Sequence, residues 1–131
     1  SVYSRAAMIE RKIEIQSIEL IPDSIVAEVE TKENVHDFGY ITEDEIVEHS
    51  FTIENRGQKT LELLEIEVPC NCTEVEVEQS VLQPGQSTTL KVIFTPKGFK
   101  GLQYRDITIK TNGIPEKIVF TVTADIVDEK P

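Results

Sequence analysis

The sequence predicts an all-β domain, an antiparallel β-sandwich of seven to eight short strands, on three observations. Apolar and polar side chains alternate with a period of two in one segment after another, turn-forming residues recur about every ten positions, and no stretch carries the apolar spacing of a long helix. Composition agrees: 39% of the 131 residues are hydrophobic but none is Trp, so the core must be mostly Ile, Val and Leu, of which Ile and Val prefer strands. A chain of this length removes about two thirds of its unfolded surface from water on folding, so the core alone is enough to hold it together.

Residues 1–24 read as a lead-in, 25–127 as the sandwich and 128–131 as a polar tail. Within the lead-in, residues 1–12 suit a frayed helix or a tether, and Ile13, Ile15, Ile18 and Leu20 suggest two short extended pieces. Pro22-Asp23-Ser24 is turn chemistry, and Ile25, Ala27 and Val29 begin the next strand. His36-Asp37-Phe38-Gly39 follows, in which Phe38 is expected to anchor into the core and Gly39 to free the backbone beside it. In residues 47–53, Val47, His49, Phe51 and Ile53 share one face, so His49 belongs with the apolar set as a core or rim residue. Asn55-Arg56-Gly57 closes that strand, with Gly57 suited to positive φ.

In residues 61–68, Leu64, Ile66 and Val68 are expected on one face and Glu65 and Glu67 on the other, before Val75 and Val77 alternate with glutamates. Pro84 and Gly85 stand in the order a type II turn requires and lead into Leu90, Val92 and Phe94. The segment Lys97-Gly98-Phe99-Lys100-Gly101 reads as a connector, since no helix follows to make it a phosphate cradle. Ile107 and Ile109, the turn Asn112-Gly113, and a last strand with Ile118, Phe120, Val122, Ala124 and Ile126 inward complete the pattern.

Charge narrows the function. With 24 acidic residues against 13 basic ones the net charge is −11, which repels phosphate backbones and argues against nucleic acid. No apolar run is long enough for an integral membrane span. The sequence shows no Ser/His/Asp series and no clustered His ligands, and its carboxylates are spread along solvent faces, so no enzyme is expected.

The most chemical stretch is Pro69-Cys70-Asn71-Cys72-Thr73, which holds both cysteines. Alternate residues of an extended strand lie about 6.6 Å apart, near the upper limit for bridged Cα atoms, so a disulfide here needs the bend that Pro69 and Asn71 favour. Three uses are open: a structural or passively oxidised pair, a copper or zinc site, or a redox dithiol. The redox use lacks C-x-x-C spacing and any adjacent Lys, Arg or His, while the metal use needs further ligands. If consecutive strands pair, the end of 61–68 lies beside the start of 47–53, so His49 or His36 is the auxiliary ligand expected near Cys70 and Cys72.

The series His36-Asp37-Phe38-Gly39, His49-Ser50-Phe51-Thr52-Ile53-Glu54-Asn55 with Gly57, Cys70-Asn71-Cys72-Thr73, Pro84-Gly85, Gly101 and Thr111-Asn112 resembles a bacterial family catalogued as a domain of unknown function, number fifteen seventy-three. Asn71 stands where the family usually has Gly. The resemblance covers roughly residues 27–126 and implies an immunoglobulin-like sandwich related to hydin-type and major-sperm-protein domains, exported to the periplasm or cell surface of bacteria such as Bacteroidetes. It brings no established activity. The expectation is a non-catalytic module of the cell envelope that binds or scaffolds a protein partner, with a signal or lipid anchor in the precursor; metal binding or thiol–disulfide exchange at the C-x-C loop is the alternative.

Overall fold

A computed structural model describes residues 25–131, so the lead-in of residues 1–24, with its two extended pieces, lies outside the described residues. Among the described residues nine strands form two sheets. They are β1 (Val29–Thr31), β2 (Val35–Ile41), β3 (Val47–Asn55), β4 (Leu61–Glu67), β5 (Thr73–Val77), β6 (Val81–Leu82), β7 (Ser87–Phe94), β8 (Gly101–Thr111) and β9 (Lys117–Ile126). One sheet has the order β1-β3-β7-β5 and the other β2-β9-β8-β4-β6. The all-β immunoglobulin-like sandwich is thus the observed architecture, with two departures from simple antiparallel succession. β2 runs parallel to β9, because the chain changes sheets after β1 and meets β9 from the same end. β3 and β4, consecutive in sequence, fall in different sheets.

Period-two patterning accounts for the core. In β9 all five expected positions, Ile118, Phe120, Val122, Ala124 and Ile126, are buried, and the first three share one cluster with Phe51, Ile53, Leu90 and Val92 from the facing sheet. The Phe51 and Phe120 rings lie 4.6 Å apart across the interior. Each such side chain contributes roughly 1.5–3 kcal/mol by leaving water. A second cluster of Ile41, Phe94, Ala124 and Ile126 closes one end, where Cys72 and Phe99 pack against it.

β4 departs from the expected pattern. A bulge between Leu63 and Glu65 shifts the register, so Leu61 and Leu63 before it and Ile66 after it face the core, while Leu64 and Val68 are exposed. In β2 a second bulge between Asp37 and Tyr40 lets Phe38 and Ile41, three residues apart, both face inward. Gly39 takes φ 75° there, and its N–H donates to Asp37 Oδ1 at 2.9 Å. The same oxygen accepts from Thr123 Oγ1 at 2.9 Å, which ties the bulge to β9.

Two motif residues prove to be connectors. The fully buried Asn55 donates through Nδ2 to the carbonyls of Lys59 (2.8 Å) and Leu82 (3.0 Å), and its Oδ1 accepts from the Gly57 N–H (2.9 Å) and the Glu28 N–H (3.4 Å). One amide therefore stitches β1, the β3–β4 crossing and β6 together. Gly57 is needed for a reason other than the expected positive φ: a Cβ there would stand 2.1 Å from Val26 O and 2.5 Å from Glu28 N. Gly85 does take positive φ, 88°, and Gln86 N donates to Gln83 O across the turn.

Candidate functional site

The candidate cysteines and histidines singled out by sequence fall in two separate places, and the structure adds a third that the sequence did not single out. The first is the C-x-C loop at the β4–β5 junction. Cys70 and Cys72 are joined in a disulfide with Cα atoms 5.2 Å apart, and Thr73 N donates to Cys70 O across the bend. Both cysteines are half-buried, and each sulfur contacts Thr73 Oγ1. While bridged, neither sulfur is a thiolate ligand.

Sequence proximity misled in two respects here. Neither His is the neighbour of the disulfide: β7 lies between β3 and β5, His49 is opposite Val92, and Cys72 O accepts from the N–H of Thr95, three residues beyond Val92 and just past the end of β7. The expected approach required β3 and β4 to pair, and they occupy different sheets. A cation does reach the loop, from a distance of 33 residues: Arg105 Nε donates to Cys72 Sγ at 3.2 Å. Arg105 lies on β8 in step with the buried Ile107 and Ile109, and that charged residue in an inward register is the signal the sequence offered. Its guanidinium covers the rings of Phe99 (4.7 Å) and Phe94 (5.3 Å) and donates to Gln103 Oε1 and Tyr104 O.

The second place is the rim where the chain passes from β1 to β2. His36 on β2 and His49 on β3 stack with ring centroids 3.7 Å apart and planes within 7°. Each ring also meets a phenylalanine edge-on at 4.8 Å, His36 against Phe38 and His49 against Phe51. The His49 Nε2–H donates to Glu33 Oε1 from the β1–β2 loop. Burial pushes the His36 pKa below its ordinary value, and the neighbouring His49 pushes it the same way. The donor atoms of Glu33, His36 and His49 all lie within 4.8 Å of one another. His49 is thus a rim residue whose partner is a side chain, and Glu33 was overlooked because its loop has no regular period.

The third place is the outer face of β2, β9 and β8. Tyr40 and Leu102 both register with Asp125, and Tyr104 registers with Thr123 in the next row. Their exposures are 55%, 57% and 61%, so an aromatic and aliphatic group stands in solvent, with the exposed Val35 and Val119 further along the face. The opposite outer face is charged: Lys91 lies 3.7 Å from both Glu48 and Glu76. No helix among the described residues is long and apolar enough to cross a membrane.

Comparison with known proteins places this architecture. A solved protein of unknown function from Porphyromonas gingivalis W83 is similar with a TM-score of 0.70 and 20% identity, over 79% of this chain and 49% of that one. The ASH/PapD-like domain 7 of human CEP192 is similar over 98% of this chain and 99% of its own, with a TM-score of 0.62 and 11% identity. The Vibrio cholerae VesB protease contains a similar region, with a TM-score of 0.63 and 14% identity, covering 82% of this chain. The chain thus spans about half of the Porphyromonas protein (49%) and about a third of the protease (34%). No curated protein matches it. The match to a family runs over residues 29–126 and takes in every strand of both sheets, and the chain therefore belongs to the family described as Protein of unknown function (DUF1573).

Proposed function

We propose that this chain is a non-catalytic protein-interaction or scaffolding module of the bacterial cell envelope, exported to the periplasm or cell surface, and that it holds its partner on the outer face of β2, β9 and β8. The observation that carries this is the group Tyr40, Leu102 and Tyr104, each more than half exposed and gathered by strand register around Thr123 and Asp125. Contiguous exposed apolar groups on a folded domain mark contact surfaces, and tyrosine is favoured in them because it offers a large stiff area with a polar tip. Among the described residues β2 is also an edge strand, which offers a second means of attachment, by strand addition.

A site-specific photocrosslinker at Leu102, in cells fractionated into cytoplasm and envelope, tests this. A discrete crosslinked protein in the envelope fraction is expected, lost in Y40A/Y104A while the melting temperature holds. Recovery of the chain only from the cytoplasm, or crosslinks that survive the double substitution, would overturn it.

A second reading, thiol–disulfide exchange at Cys70–Cys72, is favoured by one contact, that of Arg105 with Cys72. An incoming thiolate from a partner dithiol attacks Cys70 Sγ. A new S–S bond forms, the Cys70–Cys72 bond breaks, and its electron pair leaves on Cys72 as a thiolate beside the guanidinium. The partner's second thiolate then attacks its own mixed sulfur, so the partner ends oxidised and both cysteines end reduced. Copper or zinc at these sulfurs would require that reduced state. A reduction potential too low to exchange with glutathione excludes the exchange reading.

A further inference from the structure

We infer that Glu33, His36 and His49 form a binding site for a borderline divalent cation of the zinc class, independent of the cysteines and of the interaction face. The donors come from three parts of the chain: Glu33 from the β1–β2 loop, His36 from the edge strand of one sheet and His49 from the facing sheet. They meet although only the pleat of β2 and β3 brings the two imidazoles together, and their donor atoms lie within 4.8 Å of one another. Three donors around a tetrahedral zinc with bonds of 2.0–2.2 Å stand about 3.3 Å apart. An ion also lies in the plane of each imidazole that binds it, so the stacked rings of His36 and His49 must tilt out of their parallel alignment as the donors close on it. The histidines are held from inside by the edge-on contacts with Phe38 and Phe51, while Glu33, half exposed, is free to follow the ion.

The chemistry of the set selects the ion. Two imidazole nitrogens and one carboxylate oxygen suit zinc and its neighbours; calcium and magnesium prefer all-oxygen shells, and copper(I) prefers sulfur. His49 Nε2 and Glu33 Oε1 now share a hydrogen, and a cation seated between them takes its place. Water completes the shell on the solvent side, as three-ligand zinc sites allow. A net charge of −11 concentrates cations around the whole molecule, but only this cluster supplies imidazole among the described residues. Bound there, the ion would clip the β1–β2 crossing to β3 and so fasten the two sheets at their rim.

The test is calorimetric titration of the oxidised protein with Zn²⁺ alone, paired with thermal melting. Saturable binding of one ion per chain is expected, with a melting temperature that rises with zinc concentration. E33Q, on an exposed loop, keeps the fold and should bind at least tenfold more weakly; H49N should abolish binding. Because H49N could unfold, E33Q decides by itself, with the zinc-induced shift of the His36 and His49 ring resonances as the second readout. Absence of saturable binding, equal affinity in E33Q, or loss of binding only in C70S/C72S would each overturn the assignment.

Discussion

Arg105 and Cys72, 33 residues apart in sequence, touch through a 3.2 Å hydrogen bond from Nε to Sγ at the end of the sandwich. The contact supplies the disulfide loop with the positive charge that its own neighbours lack. It also fixes the guanidinium over Phe94 and Phe99, so the same side chain caps the second core cluster.

If the guanidinium stabilises the Cys72 thiolate as it leaves, R105M should slow reduction of the Cys70–Cys72 bond by a small thiol roughly three- to tenfold. Met keeps much of the packing volume, so the melting temperature should fall only slightly. Stopped-flow reduction at constant pH checks this, and an unchanged rate would assign Arg105 to packing alone.

Asn55 has no exposed surface and serves four backbone groups. Asn55→Ala leaves the Lys59 and Leu82 carbonyls and the Gly57 and Glu28 N–H groups without that partner, and should cost about 3 kcal/mol. Urea unfolding followed by circular dichroism measures it; a loss under 1 kcal/mol would mean that solvent or backbone shifts replace the amide.

The glycines separate two mechanisms. G57A places a methyl 2.1 Å from the Val26 carbonyl oxygen, where only backbone movement can relieve it, and should destabilise by more than about 3 kcal/mol. G39A meets nothing within 4 Å but keeps φ at 75°, and should cost only about 1 kcal/mol. Equal losses in the two variants would contradict this order.

Glu43 links the β2–β3 loop to the β7–β8 loop. Its carboxylate accepts from the Gly98 N–H at 3.1 Å and pairs with Lys100 at 3.2 Å, and these contacts hold its pKa below the ordinary glutamate value of 4.5, the Gly98 hydrogen bond most of all. The folded-state value is the lower one, so its stabilisation is present above pH 4.5 and fades as pH falls through the folded pKa. NMR titration should find Glu43 among the last glutamates to protonate, and E43Q should flatten the acid limb of the stability curve.

The parts of the fold written in period-two alternation were legible residue by residue. β9 needs no revision, because every inward position is apolar and every outward one save Val119 is polar. β4 could not be read this way: Leu63 and Leu64 are adjacent and equally apolar, and the bulge that puts Leu63 and Ile66, three residues apart, on the same face depends on the neighbouring strand. Strand pairing was hidden for the same reason. Nothing local tells the chain to change sheets after β3, and on that one step depended whether a histidine or an arginine would meet Cys72. The rim cluster was half visible. Both histidines stood out, but Glu33 was one acid among many until the β1–β2 crossing placed it.

The parallel alignment of β2 with β9 has a mechanical meaning. One strand lies near the entry to the described domain and the other near its exit, joined side by side over five registered residue pairs from Val35–Thr121 to Ile41–Ile126. Traction applied at the start of β2 and the end of β9 therefore loads that seam in shear, so its hydrogen bonds must yield together. A domain strung along a tethered chain would hold its shape under tension until the whole seam gave way.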